Sequence, residues 1–300
     1  MLYDVSVRIT YDYEASADAG RHLLRLMPAD MPGQQRVIAS SLTVDPVPDE
    51  RVRRSDFFGN ACDEIAYRLP VGDTVFHMRA RVERREADSL LDVSPGPDGL
   101  ARELAGFLSL DATSPHHFRP RSPRVPPVTE ISQWARAAAA GHATIFATAS
   151  ALCDAVHKAM TFDATATAVD TPVAVAFAKK RGVCQDYTHI TIAALRSLGI
   201  PAGYVSGLLR TIPPKGGERL EGADAMHAWV MVWCGNEMGW VEFDPTNRMR
   251  AGEDHIVIAR GRDYHDVAPV KGLLRSSGGQ KTHQEVDVVE VTADKMRAPG

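Results

Sequence analysis

The chain has 300 residues, 44 % of them hydrophobic and 24 % charged, with a formal net charge of −4. This fits one large or two ordinary soluble domains, long enough to bury a core without staples. The acidic balance argues against general nucleic-acid binding, which needs a basic surplus. No run approaches the ~20 apolar residues of a membrane span.

The start, Met1-Leu2-Tyr3-Asp4-Val5, lacks the basic and apolar regions of a signal peptide. Cys62, Cys153, Cys184 and Cys234 form no C-x-x-C pair and no short-range zinc or disulfide spacing. Both observations set an expectation of a reducing cytoplasm.

Residues 3 to 14 alternate, with Tyr3, Val5, Val7, Ile9, Tyr11 and Tyr13 on one side. Period 2 over this length predicts a strand with one solvated face, the tyrosines forming part of a core face. Further strands are expected at 22–27, 35–45, 51–58, 61–69 and 73–84, punctuated by Gly, Pro and Asp. Many short strands of this kind predict a β-sandwich-like domain over residues 1–95. Nothing catalytic gathers there.

Residues 96–127 read as a bridge: a short helix near 99–110, then a proline-dense extended loop or linker. His116-His117 lies in it without Cys or Glu at ligand spacing, and no metal site is expected. Helices follow at 129–140, 143–160 and 173–180, with Gly182 the expected closing residue of the third. After Val183, the spacing of Ile190, Ala194 and Leu198 predicts a buried helix ending at Gly199. Cys184 then sits at its first turn, where unpaired amides stabilise a thiolate and can hold an oxyanion. Asp186 is expected to point away into a structural hydrogen bond, and His189 to lie on the helix surface.

The rest reads as strands: 202–211, 225–234, 240–243, 253–259 and 282–292, with loops at 213–217 and 276–279 and a loose end at 298–300. The strand from Ala225 to Cys234 is apolar on both faces, as an internal strand should be. His227 near its start and Asp244 after the following strand lie nine and eight residues from the turn at Asn236. On adjacent antiparallel strands, ~5 Å apart, the two can touch if they share a face. An acid beside a histidine orients the ring and supports its charged form. Read from the residues alone, each also has an ordinary role: a core histidine, and a turn-capping Asp before Pro245.

Three blocks carry a family resemblance: Gly182-Val183-Cys184-Gln185-Asp186, Asp224-Ala225-Met226-His227-Ala228-Trp229, and Gly239-Trp240-Val241-Glu242-Phe243-Asp244-Pro245-Thr246-Asn247. They resemble the bacterial transglutaminase-like proteins of the papain-like superfamily, as do Leu198 to Ala202 and Arg260 to Val270. The first ~90 residues are similar to the β-rich region that accompanies this core. The resemblance implies an α+β fold, with helices packed on an antiparallel sheet at 128–300 after the β-sandwich-like domain.

It implies Cys184 as nucleophile, His227 as base and acid, and Asp244 as orienter; Gln185, Tyr187 and Asn247 are oxyanion or supporting candidates by their nearness in the chain alone. It also implies acyl chemistry on a peptide or carboxamide bond through a thioester, without a cofactor. A protein or peptide substrate follows, with hydrolysis first, amine transfer as the alternative, and a non-catalytic scaffold as the third reading. The sequence does not fix the oligomeric state.

Overall fold

The computed structural model describes residues 1–13, 20–85, 91–211, 224–273 and 279–291. The loop expected at 213–217, most of that at 276–279 and the end at 298–300 lie outside them.

Alternation dominates the first part. Strands β1 (Leu2–Tyr13), β2 (Arg21–Leu24), β3 (Gln35–Asp45), β4 (Glu50–Ser55), β5 (Ala61–Ala66) and β6 (Thr74–Arg84) are all antiparallel pairs. Tyr3, Val5, Val7 and Ile9 bury one face of β1 as the period-2 pattern requires. The second part begins with α1 (Pro97–Gly106), α2 (Thr129–Ala139) and α3 (Ile145–Ala159). Then come β7 (Thr161–Phe162), α4 (Val173–Lys179), β8 (Arg181–Gly182), α5 (Cys184–Ser197), β9 (Ala202–Leu209), β10 (Ala225–Trp233), β11 (Trp240–Asp244), β12 (Met249–Arg250) and β13 (His255–Gly261). The chain closes through α6 (Tyr264–Val267), β14 (Val270–Leu273) and β15 (Gln280–Glu290).

The sandwich has two four-stranded sheets, ordered β15-β1-β6-β3 and β14-β2-β5-β4. They meet through one apolar cluster that includes Val7, Ile9, Leu24, Ile65 and Phe76, with the His22 ring 5.9 Å from Phe76. The tail was expected to continue the C-terminal domain. Its strands instead complete both N-terminal sheets: β15 pairs with β1 along its whole length, Tyr3 opposite Glu290, and β14 pairs with β2. Alternation marks a strand but not its partner, so the pattern of the tail could not reveal which sheet it joins.

The core domain packs α2, α3 and α4 around α5, and α5 on a five-stranded sheet ordered β12-β11-β10-β9-β13. This is the expected α+β architecture. Residues 185 to 195 of α5 are all buried. The threonines tolerated there return their hydroxyls to the helix: Thr188 Oγ1 donates to the Cys184 carbonyl and Thr191 Oγ1 to that of Tyr187, each at 2.8 Å. Strand β10 divides two apolar cores. Ala228, Val230 and Val232 join the larger one with α5, while Trp229 and Met231 join a smaller one with Phe118, Val205 and Val257.

Strand β13 is the edge of the five-stranded sheet, and an open edge exposes unpaired amides and carbonyls. Two side-chain amides from the sandwich cover it. Gln35 donates to the Val257 carbonyl at 2.8 Å and accepts from its N–H at 2.9 Å. Asn60 does the same at Arg260, both at 2.8 Å. The sandwich therefore docks on the sheet through strand-like hydrogen bonds. In the bridge, the proline-dense segment holds a 3₁₀ turn at Pro115–Phe118 rather than extended chain throughout. His116 and His117 bond the carbonyls of Phe107, and of Leu110 and Asp111, so both rings are turn supports.

Candidate active site

Cys184 opens α5 and is partly exposed. Lys180, in left-handed conformation at φ 55°, ends α4 in place of the expected Gly182. Gly182 serves another purpose: Asp186 folds back to accept the Val183 N–H at 2.8 Å, and a Cβ at Gly182 would stand 2.4 Å from that carboxylate oxygen. Thr167 Oγ1 donates to the same oxygen at 2.6 Å. Asp186 thus closes the helix start. The amides of Cys184 and Gln185 keep no partner along the helix axis. The Asp163 N–H donates to the Gly182 carbonyl at 2.9 Å and fixes the approach to the cysteine.

His227 is 8 % exposed and Asp244 is fully buried, with Nε2 to Oδ2 at 2.7 Å. The hairpin register pairs Val230 with Phe243. Continued, it sets Asp244 beside Trp229, so His227 and Asp244 share a face but meet diagonally, a reach these side chains can span. Five N–H groups converge on the carboxylate. Oδ2 takes His227, Asn247 Nδ2 at 2.7 Å and His255 Nε2 at 3.1 Å; Oδ1 takes the backbone of Thr246 at 2.9 Å and Asn247 at 3.1 Å. Burial alone would raise the Asp244 pKa, but the donors from His227 and His255 hold it well below the usual carboxylate range. Burial alone would lower that of His227. Its hydrogen bond with Asp244, and the nearness of Asp244 and Cys184 as negative groups, lift it to about 10.

The other sequence candidates separate. Asn247 lies in the site, Nδ2 3.4 Å from His227 Nε2 besides its bond to Asp244. Gln185 turns its side-chain amide to the Val169 carbonyl at 2.9 Å. Tyr187 is 3 % exposed within the main core. Neither side chain is aimed as an oxyanion donor, because a helix places successive residues on different faces. His189, expected on the helix surface, is buried: α5 is enclosed on every side, Tyr264 N–H donates to its Nε2 at 3.2 Å, and burial lowers its pKa to about 4.

Sequence reasoning missed three groups. His255 on β13 joins Asp244, with the sheet curled so that strands three places apart, ~14 Å if flat, bring side chains together. The turn after Asp244 is fastened to α3, where His157 Nδ1 donates to the Thr246 carbonyl at 3.0 Å and Asp154 takes both arms of Arg248 at 2.8 and 2.9 Å. Beneath Trp229, whose indole donates to Glu242 at 2.9 Å, Arg260 and Arg84 hold that buried acid. Burial would raise the Glu242 pKa; the two guanidinium groups overcome this and lower it.

His227, Asp244 and His255 offer ligand atoms within 4.8 Å of one another. Ligand atoms around a tetrahedral zinc stand roughly 3.3 Å apart, given bonds near 2.0 Å. The 2.7 and 3.1 Å contacts on one carboxylate oxygen are hydrogen-bond spacings, and a metal would have to part them. A surface cavity of about 540 Å³ beside Arg25, Asp56, His117, Arg262 and Lys271 includes none of Cys184, His227 and Asp244.

Residues 132–245 match the family described as the transglutaminase-like superfamily, and residues 3–83 the bacterial transglutaminase-like N-terminal region. An uncharacterised protein of Mycobacterium tuberculosis, Rv2569c, is 32% identical over 280 residues, covering 88% of this chain and 85% of its own length. A Mycobacterium leprae protein, ML0607, is 47% identical over 116 residues, 37% of this chain and 38% of its own. A crystal structure from Cytophaga hutchinsonii, of a protein provisionally assigned as a cysteine protease, superposes with a TM-score of 0.76 at 19% identity. It covers 98% of this chain and 92% of that one.

The cytoplasmic expectation is withdrawn. The periplasmic domain of Pseudomonas aeruginosa TgpA is among the similar solved chains (18% identity, TM-score 0.34, 81% of this chain and 88% of that one). Moreover, Cys62, Cys153 and Cys234 are buried, so their being unpaired does not report a redox compartment. Among the described residues, no helix is long and apolar enough to cross a membrane. The matched regions and the long mycobacterial alignment agree: the chain belongs to the bacterial transglutaminase-like family.

Proposed function

We propose that this protein attacks a peptide or side-chain carboxamide carbonyl with Cys184, passes through a thioester and releases the acyl group to water. One observation carries the reading: the His227 imidazole is hydrogen-bonded to Asp244 at 2.7 Å, and Cys184 at the start of α5 is the other group that raises its pKa. Nε2 is engaged by Asp244, which leaves Nδ1 for the sulfur. The family's link to amide and peptide chemistry supports the same reading.

The steps follow from those contacts. The thiol proton passes to His227, and Asp244 offsets the imidazolium charge. The sulfur adds to the carbonyl carbon, and the oxyanion meets the Cys184 amide at the helix start. As the carbon–nitrogen bond breaks, His227 gives its proton to the departing amine or ammonia. Water, deprotonated by the same ring, then adds to the thioester carbon; the carbon–sulfur bond breaks, the carboxylic acid departs, and the Cys184 thiolate is restored beside the imidazolium. An amine in place of water would make the same acyl-enzyme a transferase.

Lysate peptides incubated with wild type and Cys184→Ala, read by mass spectrometry, test this. New termini, or carboxylates in place of carboxamides, only with wild type are the expected result. Amine adducts would move the assignment to acyl transfer. Indistinguishable peptide sets would overturn catalysis.

A further inference from the structure

We infer that His255 is a positioning residue of this site, a second imidazole that clamps Asp244 in its charged, correctly turned form. This rests on the catalytic reading above and extends it beyond the three residues named there. The Gly252 N–H donates to His255 Nδ1 at 3.2 Å. An imidazole nitrogen must be bare to accept, so the ring proton sits on Nε2, the atom 3.1 Å from Asp244 Oδ2. The backbone thus selects the tautomer that can donate to the acid.

The ring is held in place as firmly as its proton. His255 is 1 % exposed and meets the Trp229 indole edge-on, centroids 5.1 Å apart and planes at 80°. Trp229 is pinned in turn by its bond to Glu242. It can lie there because Gly207, opposite His227 in the sheet, has no side chain: a Cβ would stand 2.4 Å from the indole and 2.2 Å from the Ile256 carbonyl. A neutral partner placed this way does what a fourth charge could not. It fills a lone pair of Oδ2 without competing with the imidazolium for the carboxylate's charge.

The groups facing Asp244 come from four elements: His227 on β10, His255 on β13, Asn247 on the following turn, and Cys153 on α3, whose thiol pKa is pushed up by burial and by Asp244. Cys184 on α5 acts with Asp244 to raise the pKa of His227. Without the His255 donor, Asp244 takes up a proton at higher pH. The imidazolium then loses its counter-charge, and the thiolate that depends on it is protonated earlier.

The experiment measures iodoacetamide modification of Cys184 across pH in wild type, His255→Phe and His255→Gln, with absorbance of the thiolate as a second readout. Phe keeps the ring against Trp229 but removes the donor; Gln restores an N–H near Nε2 and an acceptor for Gly252. The acid limb of His255→Phe is expected about one pH unit above wild type, a tenfold loss of labelling on that limb, with His255→Gln returning most of it. Coincident limbs for wild type and His255→Phe, or a His255→Gln limb displaced as far as that of Phe, overturn the role of His255 alone. A wild-type thiol that titrates near the free value of ~8.5 overturns the catalytic reading and this inference with it. Should His255→Phe fail to fold, nitrogen-15 spectra of histidine-labelled wild type decide: an Nε2–H tautomer at His255 upholds the clamp, and an Nδ1–H tautomer overturns it.

Discussion

His227 Nε2 stands 2.7 Å from Asp244 Oδ2, with both side chains buried and the hydrogen bond spanning two neighbouring strands. The pair couples folding to pH. The His227 pKa is raised from 6.5 to about 10 in the folded state, so its stabilisation is fully present below pH 6.5 and is lost as pH rises through about 10. Asp244 is shifted the other way. Its contribution is present above the unfolded value of 3.8 and is lost as pH falls below it. Urea unfolding of wild type should show a plateau from about pH 5 to 6.5 and a decline on the alkaline side. Asp244→Asn should flatten that decline and lower neutral stability by a few kcal/mol, in order of magnitude. An unchanged alkaline slope would mean the imidazole is not held charged.

Reactivity should follow the same link. His227→Ala is expected to slow iodoacetamide labelling of Cys184 at pH 6 by about tenfold or more, because the thiolate loses its counter-ion. Cys62, Cys153 and Cys234 are buried and should label slowly in either protein. Asp244→Asn should cut turnover of any peptide identified as a substrate by about 10²–10⁴-fold, by freeing the ring tautomer. Equal labelling rates at Cys184 in wild type and His227→Ala would separate the thiol from the ring.

Glu242 joins the two halves of the molecule. Arg84 reaches it from the sandwich at 3.7 Å and Arg260 from β13. Removing the acid by Glu242→Ala strands two guanidinium groups, one of them only 6% exposed, and should cost about 3–5 kcal/mol. Glu242→Gln retains an acceptor for Trp229 and should lose less. A melting temperature within a degree of wild type for both would show that the buried charges are compensated elsewhere.

The amide clamps on β13 give a milder prediction. Gln35→Ala and Asn60→Ala each remove two hydrogen bonds to an edge strand. A loss of about 1–3 kcal/mol is expected for each, together with faster amide hydrogen exchange at Val257 and Arg260. Protection of those two amides equal to wild type would show that the clamps do not cover the edge.

What was legible in the sequence was local. The β1 alternation, the apolar spacing after Cys184 and the double-sided apolar run of β10 named their elements almost to the residue, because each pattern is set by the chain's own geometry. The hairpin even brought His227 and Asp244 to one face, although the register made them diagonal rather than opposite. His189 was misplaced because α5 is surrounded on all sides, and burial of that kind leaves no polar face to read.

The sequence by itself determined the longer strands and helices, the helix-start position of Cys184 and, through its motif blocks, the family; 260–270 read as a loop and Lys271-Gly272 as a turn, where the structure has α6 and β14. Only the tertiary structure decided that the tail completes the N-terminal sheets, that Gln35 and Asn60 cover β13, and that His255 stands on the acid. Those contacts join residues up to 287 positions apart, as Tyr3 and Glu290 do. Pairing at such distance depends on how whole sheets twist and curl against one another, which no local periodicity records.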